Sequence, residues 1–231
     1  MTIRALIFDF DGLMVDTESV ALASWQEIFA EHGARMPFDH WASLLGGSTA
    51  AFDPCAALET QIGFSVDRDA IWARRRVRKH TLGHEQPLLP GVRDYVNRAR
   101  ELSLDLAVAS SSDRAWVAGH LDRLDLLDRF DHVVTSDDVE RVKPAPDLYL
   151  KALSKLGVAP DEAFALEDSA NGTRAAQAAG LFCVVVPNAV TERLPLDHAD
   201  LRLASLTDLS LDALISLIEE RTARTRGPFT R

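Results

Sequence analysis

The chain has 231 residues, 47% hydrophobic and 26% charged, which suits one domain with an insertion or two small domains. Its formal net charge of −10 argues against nucleic acid as the main partner, because phosphate backbones need a basic face, but allows a small phosphorylated substrate. No apolar run is long enough to span a bilayer, so we expect no membrane partner. Two isolated cysteines and the absence of a signal peptide predict a cytoplasmic protein. We expect a monomer, since no extended exposed apolar stripe is evident.

The first predicted strand, residues 4–10, ends in two carboxylates and a glycine. Asp9 and Asp11 are two residues apart and therefore lie on the same face of the strand. Carboxylates this close repel each other unless a cation or a division of chemical roles resolves the conflict. The pattern indicates a nucleophile and a proton-transfer partner beside a divalent metal, with Gly12 allowing the turn that follows. The alternative is a polar strand end with a side-chain-bonded turn.

Residues from about 14 to 86 show only helical periodicity. The predicted helices cover residues 20–32, 38–45, 51–62 and 68–80. A Pro- and Gly-containing turn at residues 87–91 then returns the chain to alternating strands and helices. This predicts an all-helical cap domain, residues 15–86, inserted into a core of residues 1–14 and 87–231. Such an insertion can act as a lid, and the alternative is a helical interaction module.

A basic run lies in the last predicted helix of this insertion. Arg75 and Arg76 belong to it and are candidates for contact with an anionic substrate. The alternative is a solvated helix face, which is the usual role of a charge run.

Strand-like and helical segments alternate through the rest of the chain. Further strands are predicted at residues 104–110, 132–135, 163–167, 181–186 and 201–204, and helices at 92–102, 115–124, 146–156, 170–179 and 212–224. Several of the strands are continuously apolar, as expected for strands buried on both faces. The alternation predicts an α/β fold with a doubly wound parallel sheet.

Polar motifs follow the next two strands, at the edge where a parallel sheet binds its ligands. Ser110 and Ser111 offer hydroxyl and backbone N–H groups to an anion, and the alternative is an ordinary helix N-cap at Ser112 or Asp113. Lys143 precedes a proline, which keeps it out of the helix that follows. Its ammonium offers a point charge to a phosphate, and the alternative is an ordinary surface lysine.

Adjacent carboxylates follow the fourth predicted strand. Glu167 and Asp168 can supply the hard oxygen ligands that Mg²⁺ prefers. The alternative is an acidic helix start that is stabilised by the helix dipole. Asn171, three residues further on, can orient the loop.

These four motifs, in this order and each at a predicted strand end, resemble those of the haloacid dehalogenase (HAD) superfamily. The helical insertion after the first strand resembles the branch that holds β-phosphoglucomutases, phosphoglycolate phosphatases and sugar-phosphate phosphatases. The resemblance implies an aspartyl-phosphate mechanism, with Asp9 as nucleophile and Asp11 as proton donor and acceptor.

The resemblance also implies how phosphate and metal are bound. The phosphate-binding residues are Ser110, Ser111 and Lys143. Mg²⁺ is held by Asp9, the backbone carbonyl of Asp11, and Asp168. The residues that support this site from outside are Glu167, Gly12 and Asn171.

Three hypotheses for the function remain, and the first two differ in what accepts the phosphoryl group. The first is a Mg²⁺-dependent phosphatase that acts on a small phosphorylated metabolite, a sugar or polyol phosphate. The second is a hexose-phosphate mutase, disfavoured because the mutase pattern has an arginine after a Gly-containing loop of the insertion and residues 46–51 contain none. The third is a non-catalytic binding protein on the same fold, disfavoured because the four motifs are intact.

Overall fold

The computed structural model describes residues 2–38, 41, 52–194, 196 and 198–225. These residues form a sheet of six strands: β1 (Ala5–Phe8), β2 (Asp105–Ala109), β3 (His132–Val134), β4 (Ala163–Glu167), β5 (Phe182–Val185) and β6 (Leu201–Arg202). All neighbours pair in parallel, in the order β3-β2-β1-β4-β5-β6. The predicted parallel sheet is confirmed, and the order reverses between β1 and β4.

Helices cover both faces of this sheet. The helices of the described residues are α1 (Thr17–Glu31), α2 (Pro54–Ile62), α3 (Arg68–His84), α4 (Val92–Glu101), α5 (Arg114–Arg123), α6 (Asp147–Leu156), α7 (Ala170–Ala178) and α8 (Leu211–Thr225), of which α4 to α8 lie against the sheet. Helices α4, α5 and α8 pack in the apolar core of one face, and α6 and α7 in that of the other. The winding on both faces is therefore confirmed. Among the described residues, no helix is both long and apolar enough to span a membrane.

The central strand β1 is buried along its whole length. Leu6 and Phe8 belong to the core on one face, whereas Ala5 and Ile7 belong to the core on the other. Because successive side chains of a strand point to opposite faces, a strand covered on both sides must be apolar at every position. This is why the first polar side chain appears only where the strand ends, at Asp9.

Helices α1, α2 and α3 form the helical insertion between β1 and α4. They have an apolar core of their own, which includes Trp25, Phe29 and Leu58. The chain enters and leaves the insertion at neighbouring points, since Leu89 N donates to Met14 O at 2.9 Å. The predicted helix at residues 38–45 and the loop at 46–51 fall largely outside the described residues. The domain limits predicted from the sequence stay a prediction.

Candidate active site

The polar strand ends of β1, β2 and β4 surround one cavity. These strands are neighbours in the sheet, so their carboxyl ends meet at the crevice where parallel sheets bind ligands. The strand-end cavity has a volume of about 260 Å³. The core residues that line it are Asp9, Asp11, Ser111, Ser112, Lys143, Asp168, Ser169, Asn171 and Thr191, and the helical insertion contributes Glu18 and Lys79.

Lys143 is the cation at the base of this cavity. Its ammonium donates to Asp9 Oδ1 at 2.6 Å and lies 2.7 Å from Glu167 Oε1. Burial by itself would lower the pKa of Lys143, but the charges of Asp9 and Glu167 outweigh it and raise that pKa. Lys143 therefore stays charged and lies in the cavity. Its predicted contact with phosphate stays a prediction.

Asp9 is a buried carboxylate in an unfavourable electrostatic setting. Its burial and the charge of Glu167 raise its pKa from 3.8 to about 8, although Lys143 pulls in the opposite direction. Burial, followed by the charges of Asp9 and Glu167, also raises the pKa of Asp168 well above its usual value. Among the described residues here, one ammonium faces three carboxylates, so further positive charge would stabilise their ionised forms.

The carboxylate cluster consists of Asp9, Glu167 and Asp168. Each of these residues offers an oxygen, and the three oxygens lie within 4.8 Å of one another. Hard oxygen donors in a buried group with excess negative charge fit a divalent cation such as Mg²⁺.

Within the cluster, Glu167 already has partners for both carboxylate oxygens. Its Oε1 accepts from Tyr149 Oη at 2.5 Å and pairs with Lys143, and its Oε2 accepts from Asp168 N at 3.2 Å. Asp9 and Asp168 could therefore hold a cation directly more readily than Glu167, and the ligand roles that the family resemblance implies stay a prediction.

Asn188 holds Asp168 in place. Its Nδ2 donates to Asp168 Oδ2 at 2.8 Å and to Gly12 O at 3.1 Å, while its Oδ1 accepts from the backbone N–H groups of Val190 and Thr191. A single residue in the loop after β5 thus forms all four of these hydrogen bonds. The sequence suggests Asn188, a polar residue at the end of a further parallel strand, only as a residue at the entrance of the site, and its bond to Asp168 was not foreseen.

Gly12 fits where no side chain could. It has φ +78°, a conformation that favours glycine, and an added Cβ would lie 2.3 Å from Asp168 Oδ2 and 2.6 Å from Asn188 Nδ2. The glycine after the two aspartates thus lets the loop approach the opposite strand end closely.

The carboxylate of Asp11 lies on the β2 side of the cavity and is not part of the carboxylate cluster. Its Oδ2 accepts from Ser110 Oγ at 3.1 Å and Ser112 Oγ at 2.7 Å, and its Oδ1 accepts from Trp116 Nε1 at 2.9 Å. Ser110 is fully buried, whereas Ser111 is exposed at the cavity wall. The N-cap of α5 is Asp113, one of the two residues considered from sequence.

The helical insertion brings two charged residues to the strand-end cavity that sequence reasoning did not select. Glu18 follows the Asp-Thr of the first motif, and Lys79 lies four residues after Arg75 on α3. Burial, followed by the charge of Asp11, raises the pKa of Glu18 from 4.5 to about 7. The presence of Lys79 could have been suspected, because lysine is rare in this chain.

Arg75 and Arg76 do not line the strand-end cavity. They line a side cavity of about 610 Å³, which shares Lys79, Ser111 and Ser112 with it. The Arg75 guanidinium lies over the Trp25 ring, 5.4 Å from its centroid. The predicted contact of these arginines with substrate stays a prediction.

Comparison with known families identifies this arrangement. A model of haloacid dehalogenase-like hydrolases matches residues 6–186, which include all four motifs. The chain belongs to the haloacid dehalogenase-like hydrolase family. The predicted family and the predicted hydrolase class are confirmed, and β-phosphoglucomutases are among the solved structures that share the fold of this HAD-like hydrolase.

Curated relatives of this HAD-like hydrolase are named as phosphatases. It is 46% identical over 213 residues to "Putative phosphatase YhcW" of Bacillus subtilis, covering 92% of this chain and 96% of the relative. It is 34% identical over 227 residues to Hexitol phosphatase B of Escherichia coli K12, covering 92% and 97%. The structure of a CbbY mutant from Rhodobacter sphaeroides with xylulose-1,5-bisphosphate has a TM-score of 0.75 at 31% identity, covering 92% of this chain and 99% of that one.

Proposed function

We propose that this HAD-like hydrolase is a Mg²⁺-dependent phosphatase that acts on a small sugar or polyol phosphate through an aspartyl-phosphate. The observation that carries the proposal is the buried pair of Asp9 and Lys143 at the base of a polar cavity. The names of the relatives support a phosphorylated sugar or polyol, as does the sugar bisphosphate bound to CbbY.

Asp9 is the nucleophile of the first step. A carboxylate oxygen of Asp9 forms a bond to phosphorus while the bond between phosphorus and the ester oxygen breaks and its electron pair leaves with that oxygen. A carboxylate is a weak nucleophile, so orientation and charge compensation must supply most of the acceleration. Lys143 provides both, because its ammonium fixes Asp9 and offers positive charge to the transferred group.

Asp11 handles the protons in both steps. It gives a proton to the leaving oxygen in the first step, which releases the alcohol and leaves Asp11 as a carboxylate. It then takes a proton from the water that attacks phosphorus, and phosphate leaves with Asp9 regenerated. Asp11 lines the same cavity as Asp9 but lies outside the carboxylate cluster, a separation that suits two different roles.

Asp9 and Asp168 would hold Mg²⁺, together with the backbone carbonyl of Asp11. The ion would supply positive charge against the phosphoryl oxygens. Glu167 supports the site through Lys143, and Ser111, which lines the cavity, binds phosphate oxygens. The phosphate contact predicted for Ser110 stays a prediction, because its buried hydroxyl donates to Asp11.

The helical insertion, residues 15–86, acts as the cap domain over this site. Glu18 and Lys79 line the strand-end cavity from it, and in this proposal they bind the part of the substrate away from the phosphate. A carboxylate and an ammonium can bond to the hydroxyl groups of a sugar or polyol. Arg75 and Arg76 serve larger or more anionic substrates through the side cavity. Neither the mutase nor the non-catalytic hypothesis is favoured by an observation on the described residues.

The test is phosphate release from a panel of sugar and polyol phosphates, with Mg²⁺ and with EDTA. We expect release that requires Mg²⁺ and is lost in Asp9→Asn, while the exposed Asp128→Asn serves as the matched control and keeps wild-type activity. Trapping a phosphorylated protein that is absent in Asp9→Asn would support the intermediate. Folded wild-type protein without release from any compound would overturn the proposal.

A further inference from the structure

Trp116 connects the carboxylate of Asp11 to the helical insertion. Its indole N–H donates to Asp11 Oδ1 at 2.9 Å. The same ring faces α3, where Lys79 Nζ lies 4.7 Å from the ring centroid and the His80 ring lies 5.8 Å away. One side chain of the core therefore touches both a proposed catalytic residue and the insertion.

Gly83 shows how closely α3 approaches this ring. An added Cβ at Gly83 would lie 2.7 Å from Trp116 Cη2, so no larger residue fits without a shift. Glycine within a helix is unfavourable relative to alanine. Residues 79, 80 and 83 share a helix face, and the contact with Trp116 explains a glycine there.

The core holds the indole from another side. The His120 ring lies 4.2 Å from the Trp116 ring, and His120 is itself buried. The backbone N–H of Trp116 donates to Asp113, the N-cap of α5, at 2.8 Å. The Trp116 ring therefore packs between His120 of its own helix, α5, and residues of α3. A displacement of α3 relative to the core would move the indole.

The hydrogen bonds of Asp11 show what the indole contributes. A carboxylate offers about four acceptor positions, two on each oxygen. Ser110 and Ser112 occupy Oδ2, and Trp116 occupies one position on Oδ1. The remaining position, on Oδ1, is where a transferred proton can reside.

Two anchored oxygens also fix the plane of the carboxylate. The terminal torsion of an aspartate is broad, so bonds to Oδ2 alone would leave the plane free to rotate. The indole N–H can only donate a hydrogen bond, whereas a hydroxyl can either donate or accept one. Trp116 therefore sets the direction of the unoccupied acceptor position on Asp11 Oδ1.

We propose that Trp116 is a positioning residue that orients the Asp11 carboxylate toward the leaving oxygen. The orientation of Asp11 then depends on the position of helix α3. This inference rests on the proposed function, in which Asp11 protonates the leaving group. It implies that substrates with a poor leaving group depend on Trp116, because an alkoxide must be protonated as it leaves. An aryl phosphate does not depend on it, because nitrophenolate leaves without a proton.

The test compares kcat/KM of Trp116→Phe on a hexitol phosphate and on p-nitrophenyl phosphate. Phenylalanine keeps a ring against α3 but removes the N–H donor. We expect kcat/KM to fall about tenfold or more for the hexitol phosphate, as for a lost transition-state contact, and to change less than about twofold for the aryl phosphate. Gly83→Ala, which displaces the ring but keeps the donor, should show the same selectivity.

Trp72→Phe is the matched control, because Trp72 lies on α3 and packs against Trp25. It should leave the ratio of the two kcat/KM values unchanged. Equal effects of Trp116→Phe on both substrates, no effect, or a gain on the hexitol phosphate would overturn the inference. A wild-type protein without activity on either compound would instead count against the proposed function.

A measurement without turnover tests the same connection. The indole N–H resonance of Trp116 is assigned by its loss in Trp116→Phe, and is then followed in Asp11→Ala and in Gly83→Ala. We expect it to shift in both variants, while the resonance of Trp72 stays in place. An unmoved Trp116 resonance in either variant would overturn the inference whether or not the protein is a phosphatase.

Discussion

Lys143 and Asp9 are 134 residues apart in sequence, yet their side chains form an ion pair at 2.6 Å. The two side chains are only 6% and 8% exposed. Removing one partner of such a pair leaves an uncompensated buried charge, which is far more costly than losing a pair at the surface. The pair therefore links the electrostatics of the site to the stability of the fold.

Lys143→Met should abolish most activity. The change removes the charge that orients Asp9, and the loss of a preorganised charged donor costs about 100- to 1,000-fold in kcat. Phosphate release at saturating Mg²⁺ is the measurement, and the exposed Lys151→Met is the control. A folded Lys143→Met protein within tenfold of wild-type kcat would contradict the proposed role.

The stability of the metal-free protein should fall as the pH rises from about 5 to 8. Burial holds the pKa of Asp9 at about 8 in the folded state, against 3.8 for the free side chain. The folded state therefore binds more protons than the unfolded state in this window, and the free energy of unfolding decreases with pH. The raised pKa of Glu18, about 7, acts in the same direction.

Thermal unfolding of the EDTA-treated protein across this pH range measures the effect. Mg²⁺ should raise the Tm more at pH 8 than at pH 5, because cation binding favours ionised carboxylates. Asp9→Asn removes the contribution of Asp9 and should flatten the dependence. A Tm of the metal-free wild type that rises from pH 5 to pH 8 would contradict the prediction.

Much of the site could be predicted because its motifs are local in sequence. Asp9 and Asp11 follow a buried strand, and Asp168 follows another, so the rule that parallel strands bind ligands at their carboxyl ends brings them together. The sheet could be predicted as well, because β1 is apolar throughout and β4 is apolar up to Glu167 at its end.

The residues that sequence reasoning missed act through contacts between distant segments. Trp116 and Tyr149 each bond to a carboxylate of the site, but neither stands in a motif that marks it. Asn188 was suggested only as a residue at the entrance, and its bond to Asp168 was missed. Helix α1 begins at Thr17, within the acidic helix start that the sequence shows at residues 16–19 and before the apolar pattern that starts at residue 20, because Asp16 caps it through Ser19 N. Periodicity locates the apolar face of a helix, whereas a capping side chain determines its first residue.

Asn188→Ala should weaken Mg²⁺ binding by about 10- to 100-fold, the usual effect of removing a partner that orients a metal ligand. The change frees Asp168 Oδ2 and the Gly12 carbonyl. Calorimetric titration of the protein with Mg²⁺ measures the affinity directly. Asn97→Ala, on the exposed face of α4, is the control. Equal Mg²⁺ affinities of Asn188→Ala and wild type would argue against this role.

Tyr149→Phe should destabilise the fold more than Tyr95→Phe does. Tyr149 and Tyr95 are the only tyrosines of the chain, and both are buried. Tyr149 Oη donates to the buried carboxylate of Glu167 at 2.5 Å, whereas Tyr95 Oη donates to the carbonyl of Leu209 at 2.8 Å. Hydrogen bonds to charged groups contribute about 1.5–3 kcal/mol, against about 1 kcal/mol for neutral pairs.

Urea unfolding of the two variants and wild type gives the comparison, with equal m-values as the sign that the same transition is measured. We expect the midpoint to fall further in Tyr149→Phe than in Tyr95→Phe at pH 8. A larger loss in Tyr95→Phe would show that the bond to Glu167 contributes no more than a neutral one.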